Sequence, residues 1–216
     1  MIEAVVFDMD GLLVDSEPLW QRARLEAFEA GRLHWSEADQ ERIMGSSTQR
    51  WSIYLAEKLE HAYTPGEIVD RVVAQMEQYY RDDVPLLPGA REVIARLRGR
   101  YPLGLATGSS YRLIWAALAG AGWRGVFDEV LSSDDVANGK PAPDIYLEIA
   151  RRLGVPVEKT AVVEDSGNGI LAGLAAGAKV IAVPHAYHRP EDDVLGQSAL
   201  VLNSLLDFTP EMLRDL

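Results

Sequence analysis

Short apolar runs recur along the chain at Val5–Phe7, Leu103–Ala106, Glu129–Leu131, Ala161–Val163 and Val180–Val183. Runs this brief, with little polar alternation, are the mark of parallel strands buried on both faces. Helical periodicity fills the intervals. Ala90, Val93, Ile94 and Leu97 keep the i, i+3, i+4, i+7 spacing, as do Tyr146, Ile149, Ala150 and Leu153, so each segment offers one apolar stripe to a sheet. The alternation predicts an α/β fold, a doubly wound parallel sheet. Ligands of such open sheets gather at the carboxyl ends of the strands. Asp8, Thr107 and Asp165 each fall at such an end.

The alternation is interrupted between about Glu17 and Val84, where no convincing strand occurs. Val69, Val72, Val73, Met76, Tyr79 and Tyr80 make one helical stripe, and Trp20, Ala23, Ala27 and Ala30 make another. The expected division is a core of residues 1–16 and 85–216 with a helical insert of residues 17–84. Most Trp, Met and Tyr residues of the insert read as its own core. The connections Gly11–Ser16 and Val84–Gly89 are placed to serve as hinges.

The chain has 216 residues, 48% of them hydrophobic, enough for a sizeable core. It has no cysteine, which excludes a disulfide scaffold. Its start, Met-Ile-Glu-Ala, lacks the basic and apolar regions of a signal peptide, and no apolar run approaches membrane-spanning length. The expectation is a cytoplasmic protein that engages no membrane. A net charge of −12 argues against nucleic acid, which needs a basic face.

Candidate chemistry begins at Val5-Val6-Phe7-Asp8-Met9-Asp10-Gly11. On a strand Asp8 and Asp10 would start out on one side, and their charges repel unless a cation intervenes. Oxygen-only ligation suits Mg²⁺. The competing reading is an Asp-rich turn closed by Gly11. Thr107 offers a hydroxyl, and Gly108 and Ser109 offer backbone N–H groups before a helix starting near Ser110, which makes an anion site or an ordinary N-cap. Lys140 lies between Gly139 and Pro141 in a constrained loop, from which its ammonium can aim inward. Asp144 reads as a helix cap or a support for that loop. Glu164 and Asp165 read as metal ligands or as a cap for the following helix. His185 and His188 read as loop residues, His34 and His61 as surface residues, and Asp192-Asp193 as a solvated face.

Four segments together, Asp8-Met9-Asp10-Gly11-Leu12-Leu13-Val14-Asp15-Ser16, Leu105-Ala106-Thr107-Gly108-Ser109, Lys140-Pro141-Ala142-Pro143-Asp144 and Val163-Glu164-Asp165-Ser166-Gly167-Asn168-Gly169, resemble the motifs of the haloacid dehalogenase superfamily. The resemblance covers nearly the whole chain. It is to the branch with a helical cap, whose members include sugar-phosphate phosphatases of the 2-deoxyglucose-6-phosphatase kind and β-phosphoglucomutases.

That resemblance implies that Asp8 attacks phosphorus and that Asp10 acts as acid and then base. Thr107, Gly108, Ser109 and Lys140 would grip the phosphate. Mg²⁺ would be held by Asp8, the main-chain carbonyl of Asp10 and Asp165, with Glu164 helping. Residues 17–84 would be the cap, with Trp20 and the loop Met44-Gly45-Ser46-Ser47-Thr48 covering the leaving group. Mutases of the family place basic side chains in that loop. Here it is Ser/Thr-rich with Arg50 as its nearest cation, which favours transfer to water. The expected function is a Mg²⁺-dependent, monomeric phosphatase of a small phosphorylated metabolite, a sugar or sugar-alcohol monophosphate, acting through an aspartyl-phosphate, with a β-phosphoglucomutase-like isomerase as the alternative. An idle binding fold is disfavoured by the full set of Asp8, Asp10, Thr107, Lys140 and Asp165.

Overall fold

The computed structural model describes residues 1–28, 33–43, 48–185 and 189–216. Six parallel strands form one sheet in the order β3-β2-β1-β4-β5-β6: β1 Ala4–Phe7, β2 Leu103–Thr107, β3 Glu129–Ser132, β4 Thr160–Glu164, β5 Lys179–Ala182 and β6 Leu200–Val201. The order places β1 between β2 and β4, with Val5 opposite both Leu103 and Ala161. The residues following β1, β2 and β4 therefore emerge side by side.

Side chains alternate across this sheet as strand geometry demands. Val5, Phe7, Leu103, Leu105, Ala161, Val163 and Ile181 join one apolar cluster. Val6, Ala106, Leu131 and Val162 point the other way, onto Ile145, Tyr146 and Ile149 of helix α7, Asp144–Leu153. The expected run Val180–Val183 is shifted by one residue, since β5 begins at Lys179 and ends at Ala182, although the Val183 N–H still donates to the Glu164 carbonyl at 2.7 Å. β6 was not foreseen. It has two residues, neither buried, so it leaves no apolar run to read.

The insert is helical among the described residues: α1 Glu17–Glu26, α2 Glu37–Ile43, α3 Thr48–Lys58 and α4 Pro65–Asp82. α4 starts with a capping box between Thr64 and Glu67 and Pro65 at its first turn, and it buries Ile68, Val72, Val73, Met76, Tyr79 and Tyr80. On α1 the expected stripe is present as buried Ala23 with Trp20 and Ala27 packed behind it, while Ala30 lies outside the described residues. The two connections are tied together, with the Asp15 N–H donating to the Pro85 carbonyl at 2.8 Å and the Leu87 N–H to Leu13 at 3.0 Å. The remaining helices are α5 Ala90–Leu97, α6 Tyr111–Gly120, α8 Gly167–Ala176 and the short α9 Asp192–Leu195. No helix among the described residues is long and apolar enough to cross a membrane.

Candidate active site

Asp8 is the first residue beyond β1, and its N–H donates to the Val163 carbonyl at 3.1 Å, which fixes it beside the end of β4. The Lys140 ammonium spends its donors there, on Asp8 Oδ1 at 2.6 Å, Glu164 Oε1 at 2.6 Å and the Ala106 carbonyl at 3.2 Å. Its loop is ordered by Asp144, whose Oδ1 accepts from the Asn138 N–H at 3.1 Å and side-chain amide at 3.0 Å. Glu164, the last residue of β4, is fully buried. Its Oε1 also accepts from the Tyr146 hydroxyl at 2.6 Å, and its Oε2 from the Asp165 N–H, the Ser166 N–H and the Ser166 hydroxyl, each at 3.1 Å. The helix cap is Ser166, whose hydroxyl accepts from the Gly169 N–H at 3.1 Å, so neither Glu164 nor Asp165 caps α8.

The electrostatics show what is lacking. Burial, with repulsion from Glu164 and Asp10, pushes the Asp8 carboxyl up to about 7 against the pull of Lys140. Burial, then Glu164 and Asp8, raises the Asp165 carboxyl well above the usual carboxylate range. Burial alone would also raise Glu164, but Lys140, by charge and hydrogen bond, and Tyr146 hold it low. Burial works against a charged Lys140 too, and Asp8 and Glu164 override it. Three carboxylates thus share one ammonium. Oxygens of Asp8, Glu164 and Asp165 lie within 4.8 Å of one another, and Asp165 Oδ1 is buried with no hydrogen-bond partner. Gly11, at φ +83°, leaves no room for a Cβ against the Asp165 carboxylate, so main chain closes that side. A buried, all-oxygen cluster with surplus negative charge fits a hard divalent cation.

Asp10 turns away from this cluster. Its Oδ2 accepts from the Thr107 hydroxyl at 3.0 Å and the Ser109 hydroxyl at 2.7 Å, and its Oδ1 is buried without a partner. The expected shared side for Asp8 and Asp10 fails because β1 stops at Phe7. Beyond it the chain winds into a turn, with the Leu13 and Val14 N–H groups donating to the Met9 carbonyl. The Asp10 carboxylate is therefore no part of the acidic cluster. Thr107 and Ser109, expected to face an anion, are linked to each other, the Ser109 N–H donating to Thr107 Oγ1 at 3.1 Å, and both support Asp10. Gly108 between them is exposed.

The family model for haloacid dehalogenase-like hydrolases matches residues 2–177. The chain belongs to this family. It is 34% identical over 215 residues to hexitol phosphatase B of Escherichia coli K12, covering 96% of this chain and 95% of that protein. It is 34% identical over 189 residues to a phosphorylated carbohydrates phosphatase of Thermotoga maritima, covering 87% of this chain and 88% of that one. Among solved structures, CbbY from Rhodobacter sphaeroides in complex with phosphate superposes with a TM-score of 0.87 at 30% identity, covering all of both chains.

In this hydrolase the helical insert adds residues that sequence reading passed over. Arg24 is buried in α1 beneath two indoles, 5.5 Å from the Trp20 ring and 5.9 Å from the Trp51 ring, and 3.6 Å from Glu17. Burial makes its guanidinium harder to keep charged than usual. Trp20 itself is half-buried and tilted on Trp51 at 6.0 Å. Thr48 is the exposed first residue of α3, whereas Gly45, Ser46, Ser47 and His188 lie outside the described residues. His185 approaches a connection to the insert, with Nε2 3.8 Å from Asp15 Oδ1. Tyr146 was legible only as a core position, because its ring sits on the apolar stripe of α7 while its hydroxyl meets Glu164.

Proposed function

We propose that this hydrolase is a cytoplasmic, Mg²⁺-dependent phosphatase that cleaves a small sugar or sugar-alcohol monophosphate. The observation that carries the reading is the unequal placement of two neighbouring carboxylates. Asp8 sits in the acidic cluster against Lys140, and Asp10 is held apart by two hydroxyls. Hydrolysis through a covalent intermediate needs a nucleophile and a separate proton carrier. The names of the relatives, which act on hexitol phosphates and phosphorylated carbohydrates, supply the substrate class.

In the proposed cycle an Asp8 carboxylate oxygen attacks phosphorus and the bond to the leaving oxygen breaks. Asp10 gives that oxygen its proton, releasing the alcohol and leaving an aspartyl-phosphate. Water then attacks phosphorus, Asp10 takes the water's proton, and inorganic phosphate departs with Asp8 restored. The Thr107 and Ser109 hydroxyls aim Asp10 through Oδ2 and leave Oδ1 for the proton. Lys140 holds Asp8 in place for attack. Asp8 and Asp165, with Glu164 beside them, would hold the Mg²⁺, which supplies positive charge against the transferring phosphoryl oxygens. Residues 17–84 act as the cap over the leaving group.

The reading is tested by incubating the protein with sorbitol 6-phosphate, mannitol 1-phosphate and β-glucose 1-phosphate, with and without Mg²⁺, and following products by NMR. Release of inorganic phosphate only with metal, insensitive to added glucose 1,6-bisphosphate, is expected. Bisphosphate-dependent conversion to glucose 6-phosphate with little free phosphate would replace it with the isomerase. That second reading draws on the cap groove where Arg42 and Arg50 lie together with Tyr54 and Glu57, a volume of about 160 Å³.

A further inference from the structure

α6 begins two residues after Ser109, the end of the turn that supports Asp10, and it is also the core helix against which α4 of the insert lies. Leu113, Ile114, Ala117 and Leu118 of α6 share one apolar cluster with Val72, Val73 and Met76 of α4. At the far end of α6 a Cβ on Gly120 would collide with the Tyr80 carbonyl, so the helices meet there backbone to backbone. At the near end the contact is polar. Arg112 donates from Nε to Glu77 Oε1 at 3.2 Å and from Nη2 to Glu77 Oε2 at 2.8 Å, with Nη1 3.6 Å from Asp70.

We propose that Arg112 is a positioning residue that clamps α4 to the first turn of α6 and thereby sets how the insert sits over the Asp10 turn. Apolar burial is non-directional and tolerates small tilts of one helix on another, whereas a two-pronged guanidinium–carboxylate contact fixes angle and register. Arg112 is the third residue after Ser109, whose hydroxyl holds Asp10, so the clamp and the Asp10 support are joined through the N-terminus of α6. Freed of it, α4 and the helices packed on it sample arrangements that do not cover substrate. Apparent affinity then falls by the fraction of molecules left in the competent arrangement. Arg112 is half-exposed, so the effect is modest and screened by salt.

The proposal rests on the phosphatase reading, and its test separates the two. With sorbitol 6-phosphate at low ionic strength, Arg112→Gln should raise KM roughly two- to fivefold, the range of partly exposed ion pairs, with kcat within about twofold. Glu77→Gln should do the same, and the double variant should be no worse than either single one. At about 1 M salt, where screening reaches ~3 Å, the parent should lose its advantage. Hydrogen exchange of α4 amides, with α7 as internal reference, should quicken in Arg112→Gln whether or not any substrate is turned over. If the parent turns over none of sorbitol 6-phosphate, mannitol 1-phosphate and β-glucose 1-phosphate, the phosphatase reading fails and the exchange result alone judges the clamp. Additive effects of the two substitutions, a lowered melting temperature with KM and α4 exchange unchanged, or a KM gap that persists in high salt would overturn it.

Discussion

Two carboxylates in this molecule have the same kinds of donor and are both held low, yet they sit in opposite surroundings. In the core, Glu164 accepts from a tyrosine hydroxyl, a lysine, a serine hydroxyl and a serine N–H, through Tyr146, Lys140 and Ser166. In the insert, Asp39 accepts from Tyr54, from Lys58 at 3.1 Å, and from the Ser36 hydroxyl and N–H at 2.7 and 2.8 Å. Tyr54 and Ser36 hold the Asp39 carboxyl well below the usual range, and its one charge is answered by one ammonium. That network is complete. Around Glu164 the one ammonium, Lys140, must also serve Asp8, with Asp165 close by, and the carboxyls of Asp8 and Asp165 are raised. Donor type does not distinguish a structural carboxylate from a working one. The charge balance within a few ångströms does.

The comparison breaks first at Asp8. Asp8→Asn removes the oxygen proposed to attack while nearly preserving shape, so turnover should fall by roughly four orders of magnitude or more. Thermal melting should show a folded protein, because the change takes away one of the crowded charges. Asp39→Asn is its counterpart and should lower the melting temperature while leaving kcat unchanged. Turnover near the parent's rate in folded Asp8→Asn protein would remove Asp8 from the mechanism.

Next in size is the cation. Chelation should abolish activity and Mg²⁺ should restore it, and Asp165→Ala should need at least about 100-fold more Mg²⁺, since it deletes a ligand from a small set. Full activity in excess chelator would refute the metal requirement. The same site gives a pH dependence. Without metal, Asp8 titrates at about 7 against an ordinary 3.8. Between those values the folded protein keeps a proton that the unfolded chain has lost. The stability from this group is therefore fully present below 3.8 and lost as pH rises through about 7. Mg²⁺ competes with that proton, so it should raise the melting temperature more at pH 8 than at pH 5. An equal or reversed effect would show that the cation does not sit on Asp8.

The asymmetry between these regions also explains what could be read from sequence. The buried strands announce themselves as apolar runs, and Asp8, Glu164 and Asp165 stand at or just past strand ends that the sheet order gathers together, with Lys140 reaching them from its loop. Orientation was beyond reach. The apolar run already ended at Phe7, but nothing in Asp8-Met9-Asp10 says that the turn beyond it sends Asp10 to Thr107 and Ser109. Residues with two allegiances were hidden as well. Tyr146 and Arg24 lie on helical faces that read as core or surface, and only the packing of α7 on β4 and of Trp20 on Trp51 shows what their polar ends meet.

The finest test compares the two tyrosines. Tyr54→Phe and Tyr146→Phe each delete one hydroxyl that donates to a carboxylate already holding a lysine. In the insert the loss should be felt as stability alone, because Asp39 keeps Lys58 and Ser36 and touches nothing that reacts. Its activity should stay within about twofold of the parent. In the core, Glu164 Oε1 would be left with Lys140 as its donor and should draw the ammonium toward itself, weakening the bond from Lys140 to Asp8. A hydrogen bond to a charged group is worth about 1.5–3 kcal/mol, so a partial loss at Asp8 corresponds to roughly a tenfold fall in kcat. Because Mg²⁺ would be held by Asp8 and Asp165 and not by the tyrosine, saturating metal should not rescue that loss. Measuring kcat and melting temperature for both variants decides the point. Equal falls in stability with no difference in kcat would mean that the core network, like that of Asp39, only holds the fold together.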